Sequence, residues 1–444
     1  MIWLWIIISL VLSLIPLINK KIDLANYIWL LIPIDAYGIT LASATVKPYM
    51  ILAFLLPIIM VARHKGQGFD ITFSKGQFLA GVITVLILFQ STILPDNMAG
   101  VKGSIMAILV YVCAQLCVSC TDPLKKDQLS DVFIASCFGC SIIFIVAHLC
   151  LQRGINISGI VATDRAQSGM FMQMTNMSDG THITAYRLRG FAYDPNTMFQ
   201  QFIFGITACV SKLFKKFNLY HIITAVMSII CILLSSSRMG LLCCVVSIVI
   251  ISITSISQFD NTRAKILATL SALSLSVMLL LISLSNFGQK FISSLLSTYQ
   301  NRSTLTDEYG RFSIWKECLS VYWDENPILG VGLGRMKDYT ATERMTHNTW
   351  LQFICECGII VGAIVIIYFL SVMLIGWSKT RRLHHISPDN SAYLCLVLGF
   401  TMTIISLASA DNITCSYLWF SALLVLKLAF YNPENNISIN QKSQ

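Results

Sequence analysis

The stretch that decides the fold is residues 349–376, which read TWLQFICECGIIVGAIVIIYFLSVMLIG. Glu356 is the only charged residue in it, and the basic residues Lys379, Arg381 and Arg382 follow closely. A helix needs about 20 mostly apolar residues to cross the roughly 30 Å of hydrocarbon in a bilayer. This segment is long and apolar enough, so it predicts a membrane-spanning helix.

Similar stretches recur along the whole chain, which is 55% apolar and only 12% charged and has a mean hydropathy of +0.71. A soluble chain of 444 residues does not need that balance to fill its core. We predict an all-α, polytopic membrane bundle of about 12–14 helices. The expected spans are about 2–18, 25–44, 48–62, 77–95, 102–120, 131–151, 197–214, 219–236, 239–257, 265–285, 349–376, 391–410 and 413–431.

Two of these spans contain residues that oppose a continuous membrane helix. Pro33 and Asp35 interrupt the second span, and Lys47 and Pro48 lie just before the third. Proline removes a helical hydrogen bond, and a charge is costly in hydrocarbon. One of the two is therefore expected to be a broken or re-entrant helix.

The chain contains 15 cysteines, nearly all of them inside apolar spans. Cys318 is the one that lies clearly in a long loop. Cysteine in such surroundings is typical of a small buried apolar residue rather than a disulfide or a metal ligand. We therefore predict no metal site and no cofactor.

The formal net charge of +9 is compatible with nucleic-acid binding, but the placement of the basic residues indicates topology instead. They cluster at every second short loop, which predicts that those loops face the cytoplasm of a bacterial inner membrane. The clusters are Lys20 and Lys21, Arg63 to Lys65, Lys125 and Lys126, Lys212 to Lys216, Arg263 and Lys265, and Lys379 to Arg382.

The same alternation places two long polar loops on the opposite, periplasmic face. The chain is then divided into N-terminal spans (1–151), a first periplasmic loop (152–196), central spans (197–285), a large periplasmic loop (286–348), and C-terminal spans with a cytoplasmic tail (349–444). Acidic and basic residues nearly balance in each loop. Individual arginines, rather than a broad positive field, are therefore expected to bind an anion.

Four ionisable residues lie at the periplasmic mouths of predicted spans, where a charge is expensive and function is the first hypothesis. Arg189 opens the segment RGFAYDPN, Arg238 lies in SSSRMG, Arg311 in GRFSIW, and His347 in THNTW. A planar guanidinium offers forked donors to phosphate oxygens, and an imidazole can accept a proton near neutral pH. Together they indicate glycosyl transfer from a pyrophosphate without a metal.

Each residue also has a plain structural interpretation. Arg238 is equally typical of an interfacial anchor, and Arg311 of a pair with Glu308 on a helix face. Asn348 beside His347 is typical of a helix N-cap. The sequence leaves these alternatives open.

The first loop has its own structural alternative. Arg187 and Arg189 are suited to pairing with Asp194, and Asp194 to Asn196 reads as a turn that starts a helix. Further along, the glycines in NPILGVGLG (326–334) are expected to let backbone amides approach a phosphate or a sugar.

Three residues of the 349–376 span are assigned structural roles. Glu356 lies nine residues beyond His347, which turns it to the other side of a helix and predicts a buried hydrogen-bonding group. Gly358 and Gly362 form a small-xxx-small face that favours close helix contact.

These motifs, in this order and on one predicted face, resemble the O-antigen ligase and Wzy-type O-antigen polymerase superfamily. The resemblance covers most of the chain and is carried by RGFAYDPN, SSSRMG, GRFSIW, NPILGVGLG and HNTWLQFICECGIIVG. It implies an inverting, metal-independent transfer of an undecaprenyl-pyrophosphate-linked glycan at the periplasmic face.

The resemblance also implies roles for individual residues. Arg238 and Arg311 would bind the donor pyrophosphate, and His347 would orient or deprotonate the acceptor hydroxyl. Further substrate contacts are expected at Arg189, Arg187, Asn196 and Asn348. The implied partners are lipid-linked oligosaccharide repeat units, membrane lipid and a chain-length regulator protein, with no nucleic acid.

Only the acceptor separates a polymerase from a ligase, since both share this chemistry. The DPN after Arg189 and Gly190 resembles the polymerase branch more closely, so polymerase is the preferred prediction and ligase the alternative. A transporter of lipid-linked oligosaccharide is disfavoured because no matched half-repeats are seen.

Overall fold

The computed structural model describes residues 2–41, 44–63, 74–94, 97–155, 157–163, 167–178, 181–257, 311–341, 343, 345–386 and 391–431. The predicted span 265–285 and the first part of the large loop, 286–310, lie outside the described residues. Within them, the fold is an all-α bundle with two small sheets, which confirms the predicted fold class.

The helices are numbered here in chain order. The first seven are α1 (Ile2–Leu14), α2 (Ile28–Leu31), α3 (Pro48–Arg63), α4 (Lys75–Ile93), α5 (Met98–Cys120), α6 (Gln128–Gln152) and α7 (Pro195–Lys215). The next seven are α8 (Leu219–Leu234), α9 (Arg238–Ser257), α10 (Arg311–Glu325), α11 (Met336–Tyr339), α12 (Thr349–Ile386), α13 (Ser391–Ser406) and α14 (Ser416–Phe430).

Among the described helices, five are long and apolar enough to cross a membrane: α4, α5, α6, α12 and α13. Five shorter apolar helices accompany them: α1 with its 3-10 extension, α3, α8, α9 and α14. Helix α7 lies at the centre, where it packs against α6, α8, α9 and α13. The chain is a multi-pass membrane protein.

The second predicted span, 25–44, is not a continuous helix, which confirms the prediction that one of the second and third spans is broken. Residues 24–31 form a 3-10 turn followed by the single helical turn α2, and strands β1 (Ile39–Leu41) and β2 (Ala44–Val46) form a hairpin. Between them, Asp35 Oδ1 is 2.6 Å from Lys47 Nζ. This ion pair stabilises the break, because each charge of a mostly buried pair needs the other as its partner.

The prediction of one continuous helix over 349–376 is wrong at Gly358, where φ is 78° and ψ is 165°. The chain turns sharply there, and a Cβ on Gly362 would contact Ile354 Cα at 2.8 Å. A straight helix separates residues eight apart by about 12 Å, so the short helix 349–357 must fold back onto 359–386. The turn is held by Ile359, whose amide donates to the Pro327 carbonyl at 3.1 Å.

The first long loop forms a three-stranded sheet that the sequence did not suggest. Strand β3 (Val161–Ala162) pairs parallel with β4 (Phe171–Ser178), which pairs antiparallel with β5 (Thr181–Leu188). The end of the bundle that carries this sheet and the second long loop is called the loop end below.

The predicted cytoplasmic loops meet at the opposite end, called the basic end. Asp131 on α6 lies 2.7 Å from Lys20 and also pairs with Lys212 at the end of α7. The ammonium group of Lys427 donates to the carbonyls of Val118 and Thr121, each at 2.7 Å. Basic side chains therefore cap helix ends here, where carbonyl groups are exposed.

All 15 cysteines lie in the described part of the chain, and all are free. Fourteen are buried, and Cys150 is partly exposed. Cys318, the one expected in a loop, is fully buried in a second small core beneath α10, together with Tyr322 and Cys355. That core fixes the amphipathic helix α10 on the 349–357 helix.

Candidate functional site

The imidazole of His347 lies against the carboxylate of Asp411, which follows α13 in the chain. His347 Nδ1 is 2.9 Å from Asp411 Oδ2, and the two side chains are 29% and 14% exposed. Oδ1 of the same carboxylate accepts hydrogen bonds from Thr346 Oγ1 at 2.9 Å and from the Asn348 amide at 3.2 Å. Three groups from one short segment therefore bind this carboxylate.

The backbone at His347 is strained, with a φ of 50° that few residues other than glycine adopt. Such strain costs on the order of 1–3 kcal/mol and is concentrated at functional sites. When Nδ1 carries the proton and faces Asp411, Nε2 is left with a lone pair. The pair can therefore act as a general base whose ring orientation is fixed.

Arg311 begins α10, and its side chain reaches the loop that carries Asp411. Its Nη2 atom donates to the Ser409 carbonyl at 3.3 Å. Desolvation is the largest influence on the pKa of Arg311 and lowers it. The carboxylates of Asp194 and Asp411 raise this pKa, whereas the Arg238 guanidinium lowers it. Charges from four separate segments thus act on one another at the loop end.

Arg238 is the exposed first residue of α9. The turn before it contains Ser236 with a φ of 51°, and Ser237 Oγ accepts the Gly240 amide at 3.2 Å. This hydrogen bond caps the helix. The positive end of α9 and the charge of Arg238 both favour an anion at this position.

Arg187, at the end of β5, connects two of the sequence motifs, RGFAYDPN and SSSRMG. Its Nε atom donates to the Ser235 carbonyl at 3.0 Å, and Nη2 donates to Asn196 Oδ1 at 3.1 Å. The residue is only 5% exposed. This guanidinium therefore binds the first loop to the start of α7 and to the turn between α8 and α9.

Arg189 makes its bonds within the first loop. Its Nε donates to the Gly169 carbonyl at 2.8 Å, and Nη2 donates to the carbonyl of Gln167. The residue is 2% exposed, and Tyr37 Oη also lies 3.1 Å from the Gly169 carbonyl oxygen. Arg189 thus fixes the loop that leads into α7.

Asn348 caps the helix that begins at Thr349. Its Oδ1 accepts the amides of Trp350 at 3.1 Å and Leu351 at 3.2 Å. The indole of Trp315 on α10 donates to the Thr346 carbonyl at 2.8 Å. The segment that carries the histidine is therefore tied to α12 at one end and to α10 at the other.

Glu356 is fully buried and holds the glycine-rich loop. Its carboxylate accepts the Gly334 amide at 2.8 Å and the Gln352 side chain at 2.8 Å, and its carbonyl accepts the Gly332 amide at 2.9 Å. The loop glycines Gly330, Gly332 and Gly334 all have positive φ. The amides expected to approach a phosphate are bonded to Glu356 instead, at Gly332 and Gly334.

The structure therefore brings His347, Arg238 and Arg311 together at the loop end and uses Arg187, Asn196 and Asn348 for bonds within the protein. Sequence reasoning missed Asp411. A signal was present, because Asp411 is an ionisable residue between the last two predicted spans, which is the criterion that selected the arginines.

The fold and the site define a multi-pass membrane protein with two arginines and an aspartate-bound histidine at one end of its bundle. Residues 223–367 match the family model Wzy_C, described as O-antigen ligase. The match covers about a third of the chain and confirms the resemblance to the O-antigen ligase and polymerase superfamily, whose members are glycosyltransferase-like enzymes. It includes Arg238, Arg311 and His347 but not Asp411. No curated protein matches the chain.

Proposed function

We propose that the protein is an O-antigen, or related surface polysaccharide, polymerase. It transfers an undecaprenyl-pyrophosphate-linked glycan to the non-reducing end of a lipid-linked repeat unit, with inversion and without a metal. The observation that carries the proposal is the 2.9 Å contact between His347 and Asp411 beside the Arg311 guanidinium. These groups provide the base and the positive charge that the reaction needs.

The histidine acts on the acceptor sugar. Nε2 of His347 takes the proton from the attacking hydroxyl, whose oxygen forms a bond to the anomeric carbon of the donor. Asp411 accepts the hydrogen bond from Nδ1, so it stabilises the imidazolium that results. General-base catalysis of this kind contributes about 10²–10⁴-fold to a rate.

The arginines act on the leaving group. As the bond between the anomeric carbon and the pyrophosphate oxygen breaks, both its electrons leave with undecaprenyl pyrophosphate. Arg238 and Arg311 bind the oxygen atoms on which this negative charge develops. Asp194 and Asp411 lie near Arg311, which favours its charged form while substrate is bound.

The membrane side is part of the proposal. Basic residues cluster at the basic end and the long polar loops at the loop end, and by the positive-inside rule this supports a site at the periplasmic face of a bacterial inner membrane. The donor and acceptor lipids would reach it from the bilayer. A chain-length regulator is a proposed protein partner.

A ligase that transfers the glycan to lipid A-core is the second candidate. It is favoured by the description of the matching family as O-antigen ligase. RGFAYDPN favours the polymerase. The same base and arginines would serve either acceptor, so the acceptor has to be identified by experiment.

The proposed function is tested by deleting the gene in its own strain and expressing variants from a plasmid. Loss of a polymerase leaves single repeat units on the core, whereas loss of a ligase leaves none. We expect Arg238→Ala, Arg311→Ala and His347→Ala to be expressed and inserted but to make no long glycan. Normal glycan length in all three variants would contradict the proposal.

A further inference from the structure

A small cavity with a few polar groups in a mostly apolar lining is formed where the broken N-terminal segment meets α7 and the start of α14. Asp35, Thr197, Gln201, Asn412 and Ser416 contribute polar groups to its lining. It has room for about one water-sized group, which is less than a sugar ring needs.

Two of the residues that line the cavity are next to, or bonded to, residues of the proposed reacting centre. Asn412 follows Asp411, which binds His347. Thr197 Oγ1 donates to the Asp194 carbonyl at 3.0 Å, and Asp194 is the carboxylate that acts on Arg311. Two chain segments, at the start of α7 and after α13, therefore line the cavity and also carry charges of the proposed site.

One lining side chain has an unused acceptor. Gln201 is 6% exposed, and its Oε1 atom is buried without a hydrogen-bond partner among the described residues. Its neighbour Gln200 is satisfied, because Nε2 donates to Ser406 at 2.8 Å and Oε1 accepts from Cys415 at 3.4 Å. A buried unpaired oxygen is costly, so it indicates a missing donor.

The second acceptor is the Asp35 carboxylate. Within the part of the chain that the structure describes, Oδ1 accepts hydrogen bonds from Lys47 Nζ at 2.6 Å and from Ser416 Oγ at 2.7 Å. Lys47 is 11% exposed at its side chain and balances the negative charge. The cavity is thus rich in acceptors and neutral overall, which suits a neutral O–H donor better than a cation.

We infer that this cavity is a subsite for one hydroxyl group of the sugar at the reacting centre. The inference rests on the proposed function, since it identifies the ligand as part of the lipid-linked glycan. Gln201 Oε1 accepts the hydrogen bond from that hydroxyl, and the Asp35 carboxylate is the alternative acceptor for the same hydrogen. The size of the cavity excludes larger substituents, so it selects for sugars that carry a free hydroxyl there.

The test uses the full-length protein in lipid nanodiscs and the lipid-linked repeat unit extracted from the strain that carries the gene. Gln201→Leu removes the acceptor and keeps the side-chain volume. We expect the KM for the repeat unit to rise about tenfold, the loss that corresponds to one hydrogen bond, with kcat within twofold. The unfolding temperature should stay the same or rise, because an unpaired buried oxygen has been removed.

Gln115→Leu is the matched control. Gln115 is also buried, at 4% exposure, and its Oε1 is also without a partner, but it lies near the basic end of α5. Its KM should equal that of the wild type. Thr197→Ile is a second variant for the case that Gln201→Leu does not fold. It replaces the Thr197 hydroxyl by a methylene and adds one methyl group at the cavity wall, so it should raise KM in the same way.

The outcomes distinguish a failure of the subsite from a failure of the proposed function. An active wild type with an unchanged KM in Gln201→Leu, or an equal rise in Gln115→Leu, overturns the subsite and leaves the proposed function standing. If Gln201→Leu does not fold, an unchanged KM in Thr197→Ile overturns the subsite. No transfer by the wild type overturns the proposed function and the subsite with it.

Discussion

The substitution Asp411→Asn tests the base most directly, because it changes chemistry with little change in shape. Asp411 accepts three hydrogen bonds, two on Oδ1 and one on Oδ2. The amide oxygen of asparagine can keep the bonds from Thr346 and from the Asn348 amide. The amide nitrogen then faces His347 Nδ1 and can only donate to it.

That reversal forces the wrong tautomer on the ring. Nδ1 becomes the acceptor, the proton moves to Nε2, and the nitrogen that should take the proton from the sugar hydroxyl is blocked. The expected loss is the whole general-base contribution, about 10²–10⁴-fold in kcat. This corresponds to about 2.7–5.4 kcal/mol of transition-state stabilisation.

The assay is glycan extension by the purified protein in nanodiscs, followed by gel mobility of the product, with kcat and KM measured separately. KM should change less than threefold, because no substrate contact is lost. Thr346→Val is the control, since it removes only the hydroxyl bond to Oδ1 and should cost less than about tenfold. A kcat for Asp411→Asn within threefold of the wild type would refute the role of the carboxylate.

Two other predictions concern the scaffold. Gly358→Ala should strongly lower the unfolding temperature, because the new Cβ would lie 1.9 Å from the Ile328 carbonyl oxygen. The control Gly334→Ala, with no atom within 4 Å of the new Cβ, should cost only the strain of its positive φ, about 1–2 kcal/mol. Equal unfolding temperatures for the two variants would argue against a tight turn at Gly358. Arg187→Lys should destabilise the protein by about 1–3 kcal/mol, because an ammonium group cannot reproduce the two forked hydrogen bonds to Ser235 and Asn196. A raised KM at unchanged unfolding temperature would instead support the substrate contact predicted from the sequence.

The membrane spans could be predicted because they depend on local hydropathy. The bilayer demands about 20 apolar residues per helix regardless of what packs against it. The segment from Leu24 to Val46 shows the limit of this reasoning. Most of its residues are apolar, but an ion pair between Asp35 and Lys47 lies where the helix is broken. Asp35 and Lys47 signalled an interruption, but the local pattern does not show that Asp35 accepts hydrogen bonds from both Lys47 and Ser416.

The bend at Gly358 was not predictable from the same signals. A glycine in an apolar run fits a close helix contact or a helix break equally well. The choice is made by a distant segment, since the amides of Val331 and Gly332 and the carbonyl of Pro327 occupy the turn. Tertiary hydrogen bonds of this kind leave no mark in the local pattern.

The arginines and the histidine could be predicted because charge near hydrocarbon is expensive wherever it occurs. Asp411 met the same criterion, but a single acidic residue between two spans is also typical of a solvated turn. Its role becomes visible only through its partners, which lie more than sixty positions earlier in the chain.

The position of Asp411 also explains why the last two helices belong to the site. The segment that matches the family ends at residue 367, before α13 and α14 begin. Without these helices, His347 would keep its strained backbone but lose the carboxylate that orients its ring. Trp350, two residues beyond the Asn348 cap, donates to the Ile404 carbonyl at 3.0 Å, so the histidine segment is also anchored to α13. The orientation of His347 therefore depends on the packing of the C-terminal helices. A substitution that loosens the packing of α13 should lower kcat before it lowers membrane insertion.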